Sequence, residues 1–571
     1  MVANFLTLFK ELSLSDRPAI VTKKKEIISW TKYYENCLLF ANALKQMNVD
    51  KNESVAIMGF NSPEWFYAAI GSIIYGCKYI GIYPTNGPEE TEHVLNVSNA
   101  SILVIQNNKL LNSINLNKKL KNIVLYDDEP LNYEHKGSFT TKFGDFIRNK
   151  NMFAVENNKN PSEVITYIMT SGTTGKSKAV KITYENVSFT CSEMTKNFSL
   201  ENEKVVSFLP LSHTAASMFD MFCHFYHKGT VNFAKPDALQ GSLVETLVDV
   251  SPTIFLGVPR VWEKIMEKMQ AVAEEKYSGY FGKILKVVVD FFKENTLYYH
   301  DSSVNNNVSM MTSIIYRIAR YIFFRKIKGS LGFRNCRYFF SGAAPISKDT
   351  LDYFTKIDII IYEIFGMSET CGVISANKID CHRKGSVGKP LIGSIKIAED
   401  GEILYKGKNN FIGYKDNIEA TKEIIDKDDW LHTGDVGIID KDGFLFITGR
   451  KKELIITAGG ENVAPIIIEN SIKKNCPKIS QVVVIGDKRK FLSALIALPH
   501  PEEEEEKWLS YVKNGIDKYN ENPISNAQKI QKFVIINDDF TVENNLMTPT
   551  MKLKRSNIHQ KYKNEIEKMY I

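Results

Sequence analysis

The residues with the most distinctive chemistry lie at positions 167–178, in the segment Tyr-Ile-Met-Thr-Ser-Gly-Thr-Thr-Gly-Lys-Ser-Lys. Glycines let a backbone approach an anion closely, hydroxyl and N–H groups donate hydrogen bonds to its oxygens, and lysines neutralise its charge. We therefore predict that this segment is a loop that binds phosphate groups. Its predicted phosphate-binding residues are Thr170, Ser171, Gly172, Thr173, Thr174, Gly175, Lys176 and Lys178.

This segment differs from a Walker A loop, in which a glycine precedes the final Gly-Lys-Ser by five residues. Thr170 occupies that position here, which excludes a P-loop kinase. A flexible Gly/Ser/Thr linker is the other alternative. It is disfavoured because such linkers seldom follow a buried strand and carry two lysines.

A strand must position this loop, and residues 164–169 have the apolar composition of one. Similar short runs alternate with helical patterns, as in a strand at 54–60, a helix at 63–76 and a strand at 78–84. Such alternation predicts an α/β fold with largely parallel strands. Residues 260–331 instead predict three helices.

The C-terminal part of the sequence has a different pattern. The turns Asp400-Gly401 and Asp442-Gly443 predict β-hairpins. Beyond residue 449 the pattern becomes that of a compact α+β domain. We therefore predict two domains, 1–449 and 450–571.

Composition excludes several classes of protein. The 571 residues are 44% hydrophobic and 24% charged, which is typical of a globular protein and excludes collagen-like and wholly disordered chains. The net charge of +6 gives no indication of nucleic-acid binding. Eight scattered cysteines without a CxxC spacing predict reduced thiols in an intracellular protein. The apolar stretch at 66–83 is interrupted by Gly71, Gly76 and Lys78, so we predict no membrane span.

Further motifs follow the phosphate loop along the chain. They are Ser341-Gly-Ala-Ala-Pro345, Phe365-Gly-Met-Ser-Glu369, Trp430-Leu-His-Thr-Gly-Asp435, Gly449-Arg-Lys-Lys452 and Pro549-Thr-Met-Lys-Leu-Lys-Arg555. In this order they resemble the motifs of the adenylate-forming (ANL) superfamily, and in particular its acyl-CoA synthetases. Segments 209–220, 235–243, 257–268 and 453–465 look most like the bubblegum-type, AMP-dependent long-chain fatty acyl-CoA synthetases.

The chain departs from the usual family motifs at four positions. Ser177 and Ala179 stand where the family loop has Pro and Gly, and Phe365 and Ser368 stand where it has Tyr and Thr. The lysine between the two loop departures is kept as Lys178.

The resemblance implies a two-step reaction with ATP, Mg²⁺ and coenzyme A. A fatty acid attacks the α-phosphate of ATP to give acyl-AMP and pyrophosphate, and coenzyme A then displaces AMP. It also implies a large N-terminal domain with several subdomains, in which mixed and parallel sheets are flanked by helices and a β-rich part follows. A small, mobile α+β C-terminal domain would complete the α/β fold.

The resemblance also assigns roles to single residues. Lys552 is expected to bridge the carboxylate and the α-phosphate, Glu369 to bind Mg²⁺, and His213 to position the reacting groups. Asp435 and Arg450 are expected to bind the ribose. Lys452 would be the hinge of the C-terminal domain, and Gly459, Gly460 and Glu461 would line the coenzyme A channel. The remaining predicted nucleotide-binding residues are Gly342, Ala343, Ala344, Phe365, Gly366, Met367, Ser368, Glu369 and Thr370.

Three alternatives stay open at this level. The chain could be a fatty-acyl-AMP ligase, a ligase for aryl or medium-chain acids, or a catalytically silent fatty-acid-binding protein of the same fold. We expect a cytoplasmic protein, with or without peripheral association with the cytosolic face of an organelle membrane. Residues 309–328 are consistent with such association, because they combine apolar residues at helical spacing with Arg317, Arg320, Arg325, Lys326 and Lys328. The alternative for this segment is a helix that packs on its own domain and exposes a basic face.

Overall fold

The computed structural model describes residues 4–116, 119–131, 139–148, 160–170, 176–303, 307–458, 461–499, 505–523, 525–542, 544–548 and 552–571. The chain forms two units. The first extends to Ser394 and includes Lys406–Leu431, and the second comprises Ile395–Tyr405 and His432–Ile571. The predicted boundary near residue 449 remains a prediction.

The largest sheet of the first unit has seven strands. In spatial order they are Phe139–Lys142, Asn122–Leu125, Ala100–Ile105, Ser54–Met58, Lys78–Ile82, Val164–Thr170 and Lys178–Thr183. The strands are parallel except for the last, which pairs antiparallel with its neighbour. Its central strands are apolar runs without alternation because both faces are buried.

Two smaller sheets complete the strands of this unit. One contains Lys204–Ser207, Thr230–Phe233, Pro18–Val21 and Ile27–Ser29 in that order. The other contains Ile254–Gly257, Tyr338–Ser341, Ile361–Met367, Gly372–Ala376 and Lys389–Pro390. In this second sheet the first three strands are parallel, so their carboxyl ends meet at one edge.

The helices of the first unit are Phe5–Leu12, Trp30–Gln46, Pro63–Tyr75, Pro88–Ser98, Asn108–Asn112, Phe143–Ile147, Tyr184–Asn197, Thr214–Ala216, Cys223–His227, Leu243–Val250, Pro259–Lys276, Tyr280–Ser303, Met310–Ala319, Arg325–Ser330, Lys348–Thr355 and Ile418–Ile424. Two π-helical segments, Ser217–Phe222 and Arg320–Phe324, and two 3₁₀ turns, Ala238–Gln240 and Ser368–Thr370, lie among them. The strand, helix and strand predicted at 54–84 are confirmed, and Gly76 ends that helix in a left-handed conformation with φ of 103°. The three helices predicted at 260–331 are also confirmed.

The second unit is built mainly from antiparallel strands. A four-stranded sheet at its start contains Ser394–Ile397, Glu402–Lys406, Leu431–Ile439 and Leu445–Arg450. The Asp-Gly turns lie between neighbouring strands of this sheet, as predicted, with Gly401 and Gly443 at φ of 83° and 85°. The remaining strands are Ile455–Ile456, Asn462–Val463, Gln481–Ile485, Leu492–Ala497 and Ile530–Ile536. Its helices are Pro465–Asn475, Glu505–Glu521, Arg555–Lys561 and Lys563–Lys568, and its 3₁₀ turns are Lys451–Glu453 and Asn526–Gln528.

The cysteines agree with the prediction of reduced thiols, since all eight are free and six are buried. Among the described residues, no group of His, Cys, Asp or Glu side chains has an arrangement that could hold a metal ion by itself. None of the helices in the described part of the chain is long and apolar enough to cross a membrane.

Candidate active site

The predicted phosphate loop connects two antiparallel strands at the edge of the seven-stranded sheet. Thr170 ends the first strand and lies opposite Lys178, which begins the second. The Thr170 hydroxyl donates to the carbonyl oxygen of Lys178 at 3.4 Å. The predicted binding residues Ser171, Gly172, Thr173, Thr174 and Gly175 lie outside the described residues.

The C-terminal end of the loop is held by the helix Pro88–Ser98. The Ser177 hydroxyl donates to the Glu90 carboxylate, and His93 Nε2 donates to the carbonyl oxygen of Ser177 at 2.8 Å. Lys176, next to Ser177, is exposed. Between the two predicted phosphate-binding lysines, one hydrogen bond therefore holds the backbone of Ser177 and a second holds its side chain.

Tyr414 connects the loop to the predicted metal ligand. The Lys178 ammonium lies 5.1 Å from the centre of the Tyr414 ring, within the range of a cation–π interaction. The Tyr414 hydroxyl donates to Glu369 Oε1 at 2.7 Å. Because Glu369 is only 6% exposed, this hydrogen bond fixes a buried carboxylate close to the loop.

Backbone hydrogen bonds place Tyr414 between these two elements. Lys181 N donates to Gly413 O at 3.1 Å and Lys415 N donates to Ala179 O at 2.8 Å, so the segment around Tyr414 extends the edge of the large sheet. Phe411 N donates to the carbonyl oxygen of Glu369 at 2.8 Å. The sequence analysis missed Tyr414, because its only signal is an aromatic residue 45 positions from Glu369.

The predicted segment 365–370 makes a tight reversal of the chain. The strand Ile361–Met367 passes through the 3₁₀ turn Ser368–Thr370 and returns as the strand Gly372–Ala376. A Cβ atom at Gly366 would lie 1.9 Å from the carbonyl oxygen of Gly372, so a side chain cannot be accommodated there. The Thr370 hydroxyl donates to the carbonyl oxygens of Met367 and Gly372, at 3.1 and 2.7 Å. These contacts make the turn rigid, so the backbone of Glu369 is held in one position.

Another predicted segment lies beside the strand that leads into this turn. The strand that ends at Ser341 runs parallel to the strand carrying Phe365, and a Cβ atom at Gly342 would lie 2.7 Å from Cγ1 of Ile364. Ala343 follows in the left-handed region with φ of 69°, and Ala344 comes next. The sheet thus brings residues 342–344 beside the strand that carries the turn.

His213 also approaches the turn through its neighbour in the sequence. The hydroxyls of Thr214 and Ser368 share a hydrogen bond of 2.6 Å. His213 precedes a short helix, where its Nδ1 accepts from Ala215 N at 3.2 Å. In the neutral form of the ring this bond leaves the proton on Nε2.

In the second unit, Asp435 and Arg450 are direct partners across an antiparallel strand pair. Arg450 Nε lies 3.7 Å from Asp435 Oδ1. His432 donates to Glu402 at 3.0 Å. Lys452 is exposed within the 3₁₀ turn that follows Arg450.

The backbone of Lys552 forms two hydrogen bonds with Thr548. Lys552 N donates to the Thr548 hydroxyl at 3.0 Å, and Thr548 N donates to the Lys552 carbonyl at 2.7 Å. Three residues later, Arg555 binds both carboxylate oxygens of Glu469 at 2.6 and 2.7 Å. Burial alone would lower the pKa of Arg555, but Glu469 and Glu453 raise it above its usual value. This ion pair, which the sequence analysis also missed, anchors the motif that carries Lys552.

The predicted coenzyme A channel is described only at Glu461. Its backbone N–H donates to the Thr457 hydroxyl at 3.2 Å, and its carbonyl accepts from Thr457 N at 3.1 Å. Gly459 and Gly460 lie outside the described residues.

The first unit also contains a buried acid that the sequence analysis did not single out. Burial raises the pKa of Asp220 to about 8, although a hydrogen bond of 2.7 Å from the Ser207 hydroxyl lowers it. Asn61 donates to the same hydroxyl and to Leu209 O, at 2.9 and 2.8 Å. A cavity of about 10 Å³, the space of about one water molecule, lies beside Asp220. Nine apolar side chains of residues 209–221 and 255–262 are also buried, namely Leu209, Leu211, Met218, Phe219, Met221, Phe255, Leu256, Val258 and Trp262.

Comparison with known protein families gives two matches along the chain. Residues 12–415 match the family described as AMP-binding enzyme, and residues 452–571 match the AMP-binding enzyme C-terminal domain.

Curated relatives match over almost the whole chain. A chicken (Gallus gallus) protein named long-chain-fatty-acid–CoA ligase ACSBG2 is 36% identical over 97% of this chain and 79% of its own length. The human (Homo sapiens) protein of the same name is 34% identical over 97% of this chain and 90% of its own length.

Solved structures share the fold at lower identity. An anthranilate CoA ligase, AuaEII, in complex with anthranoyl-AMP has a TM-score of 0.77 at 18% identity, covering 99% of this chain and 98% of its own. MatB from Rhodopseudomonas palustris with bound ATP has a TM-score of 0.71 at 20% identity, covering 99% of both chains.

Proposed function

Because this chain belongs to the AMP-binding enzyme family, we propose that it is a long-chain fatty acid–CoA ligase that forms AMP. The resemblance deduced from the motifs and the predicted α/β fold with a small α+β C-terminal part are confirmed. In the proposed reaction a fatty acid and ATP give acyl-AMP and pyrophosphate. Coenzyme A then accepts the acyl group and AMP is released, so the enzyme is an ATP-dependent acid–thiol ligase.

One observation carries this proposal. Relatives named long-chain-fatty-acid–CoA ligase match at 34–37% identity over at least 95% of the chain. The geometry of the first unit agrees with the same chemistry, because Tyr414 connects Lys178, at the edge of the large sheet, to the buried carboxylate of Glu369.

The reaction needs no nucleophile from the protein. The protein must instead hold several anions together and stabilise the charge that develops on the α-phosphate. We assign Lys176 and Lys178 to the phosphates, and residues 342–344 and 365–368 to the nucleotide. Asp435 and Arg450 are assigned to the ribose.

Glu369 fits the role of a Mg²⁺ ligand. A carboxylate is the ligand that this cation prefers, and the rigid turn and Tyr414 hold its oxygen atoms in place. When bound, Mg²⁺ would neutralise charge on the phosphate oxygens. His213 is assigned to positioning the acyl carboxylate, since it lies next to the residue that contacts the Glu369 turn.

The second unit supplies the remaining assigned groups. Lys552 bridges the carboxylate and the α-phosphate in the first step. Rotation about Lys452 then replaces it with residues 459–461, which line the path of coenzyme A. The ion pair between Arg555 and Glu469 holds Lys552 in register for the first step.

The test is pyrophosphate release measured with acids of increasing chain length, with and without coenzyme A. We expect the highest rate with long-chain acids, and thioester formation only with coenzyme A. A maximum with short or aromatic acids would favour a different acid ligase, and sustained turnover without coenzyme A would favour an acyl-AMP ligase. No release with any acid would favour a silent binding protein.

A matched pair of variants tests the role of Lys552. Removing a charge that stabilises the transition state typically lowers the rate by about 10²- to 10³-fold. We therefore expect Lys552→Ala to lose adenylate formation to this extent, whereas Lys554→Ala, whose side chain bonds to Asn545, stays close to wild type. Equal effects of the two substitutions would contradict the assignment.

A further inference from the structure

The helix Tyr280–Ser303 exposes apolar residues on its solvent-facing side, which is usually polar. Val289 and Thr296 are buried and mark its inner face. The opposite face carries Tyr280, Ile284, Val287, Phe291 and Tyr298, each more than half exposed. Their spacings of three, four and seven residues place them along one stripe of the helix.

The helix that follows has the same inverted arrangement. Its inner side is marked by Tyr316 and Ala319, which are buried. The opposite side carries Met310, Ile314 and Tyr321, which are 81%, 43% and 75% exposed. Together with the π-helical segment Arg320–Phe324, these two helices hold fourteen of the 31 large apolar side chains that are exposed in the described part of the chain. Soluble monomers rarely collect so much apolar surface in one place without a partner.

Packing fixes the inner faces of the two helices against each other. The rings of Tyr299 and Tyr316 stack at 3.9 Å, and those of Phe292 and Phe323 lie 5.3 Å apart. The helices are therefore antiparallel neighbours. Asp358 also ties them to the body of the first unit, because it accepts hydrogen bonds from Tyr316, Lys328 and His300. The exposed stripes are on the helix faces that point away from this packing.

Basic residues interrupt the apolar stripe of the second helix. Arg317 and Arg325 follow Met310 and Ile314 at helical spacing, and both are exposed. Neither forms an ion pair with a described residue. Two of the five cations considered in the sequence, Arg320 and Lys328, contact Asp358 instead, so they stabilise the fold.

We propose that these exposed stripes of residues 280–303 and 310–325, together called the apolar surface, dock the protein on a membrane that contains anionic lipid. Apolar side chains enter the interfacial region while the arginines contact lipid phosphates. The proposal rests on the proposed function, because a long-chain fatty acid partitions into such membranes.

The test is co-sedimentation of the full-length protein with vesicles of phosphatidylcholine alone or of equal parts phosphatidylcholine and phosphatidylserine. Each arginine near an anionic surface contributes about 1 kcal/mol, or about fivefold in affinity. We expect Arg317→Gln with Arg325→Gln to weaken binding to the anionic vesicles about 30-fold. We expect Phe291→Ser with Tyr321→Ser to weaken it at least tenfold. Added salt should weaken wild-type binding.

Leu14→Ser with Phe139→Ser is the matched control, because both side chains are highly exposed elsewhere on the first unit. This variant should bind like wild type, and circular dichroism and melting temperature confirm that each variant folds. The proposal is overturned if neither kind of vesicle sediments the protein, or if the surface variants bind as well as the control. It is also overturned if the surface variants abolish a dimer instead. Vesicle binding without ligase activity would refute the proposed function and leave the surface assignment intact.

Discussion

The contact between Tyr414 and Glu369 gives the sharpest test of the candidate site. Replacing Tyr414 by Phe removes one hydroxyl and keeps the ring beneath Lys178. The Glu369 carboxylate loses a 2.7 Å hydrogen bond while it stays buried. We expect the carboxylate to become less well positioned for the metal and the phosphates, and adenylate formation to slow.

The magnitude follows from the kind of hydrogen bond. A bond to a charged group contributes about 1.5–3 kcal/mol, and each 1.36 kcal/mol corresponds to a tenfold change in rate. If the whole contribution is lost in the transition state, kcat/KM for adenylation falls by about 10- to 150-fold. Because the ring and its contact with Lys178 remain, KM for ATP should change less than kcat.

The assay is fatty-acid-dependent pyrophosphate release as a function of Mg²⁺ concentration. The matched control is Tyr75→Phe, which removes a hydroxyl that also makes a 2.7 Å bond, in this case to Val49 O in the fold. We expect Tyr414→Phe alone to need more Mg²⁺ and to turn over more slowly. A folded Tyr414→Phe enzyme with the wild-type rate and Mg²⁺ requirement would refute the reasoning.

Three further substitutions test the fold and its electrostatics. Because the raised pKa of Asp220 makes the folded state keep a proton that the unfolded chain releases, the contribution of this residue to the free energy of unfolding should fall by about 1.4 kcal/mol per pH unit between about pH 4 and 8. Burial raises the pKa of Glu363 to about 8 as well, so Asp220→Asn should reduce the fall of melting temperature over this range without abolishing it. An unchanged pH dependence of the melting temperature would contradict this expectation. Asp358→Asn strips a buried anion from its cationic partners and should cost about 3–5 kcal/mol, seen as a lower melting temperature. Glu469→Gln leaves buried Arg555 with Glu453 as its remaining anion, so calorimetry should show a smaller loss in the second unit, and Lys552-dependent adenylation should fall with it. Retention of both melting behaviour and rate would show that the ion pair does not position Lys552.

Much of the fold could be predicted because local signals agree with the global structure. Buried parallel strands such as Ser54–Met58 are continuous apolar runs, and Asp-Gly turns mark the hairpins of the second unit. The helix Pro63–Tyr75 begins after a serine cap, with a proline in its first turn, and ends at Gly76. Local sequence signals therefore predict both of its ends.

The contacts that complete the site could not be predicted, because they join residues distant in sequence. Nothing near Tyr414 indicates that the chain there adds to the edge strand beside the phosphate loop. The partner of Arg555 is 86 residues away, and a sequence pattern cannot specify which buried carboxylate a guanidinium meets. The exposed stripe of Tyr280–Ser303 was missed for another reason. Its apolar spacing reads as a core face, and only the packing shows which side is outside.

The loop residues 176–179 show how a departure from a family motif can be compensated. A proline at position 177 would restrict one backbone angle, and Ser177 lacks that restriction. In this protein a hydrogen bond from His93 to the Ser177 carbonyl oxygen restrains the same backbone, and a bond from the Ser177 hydroxyl to Glu90 holds its side chain. Ala179 is almost fully buried in the strand that follows, where a methyl group is accommodated. The segment that presents Lys178 therefore keeps its rigidity through tertiary contacts, which is why the departures do not argue for a silent protein.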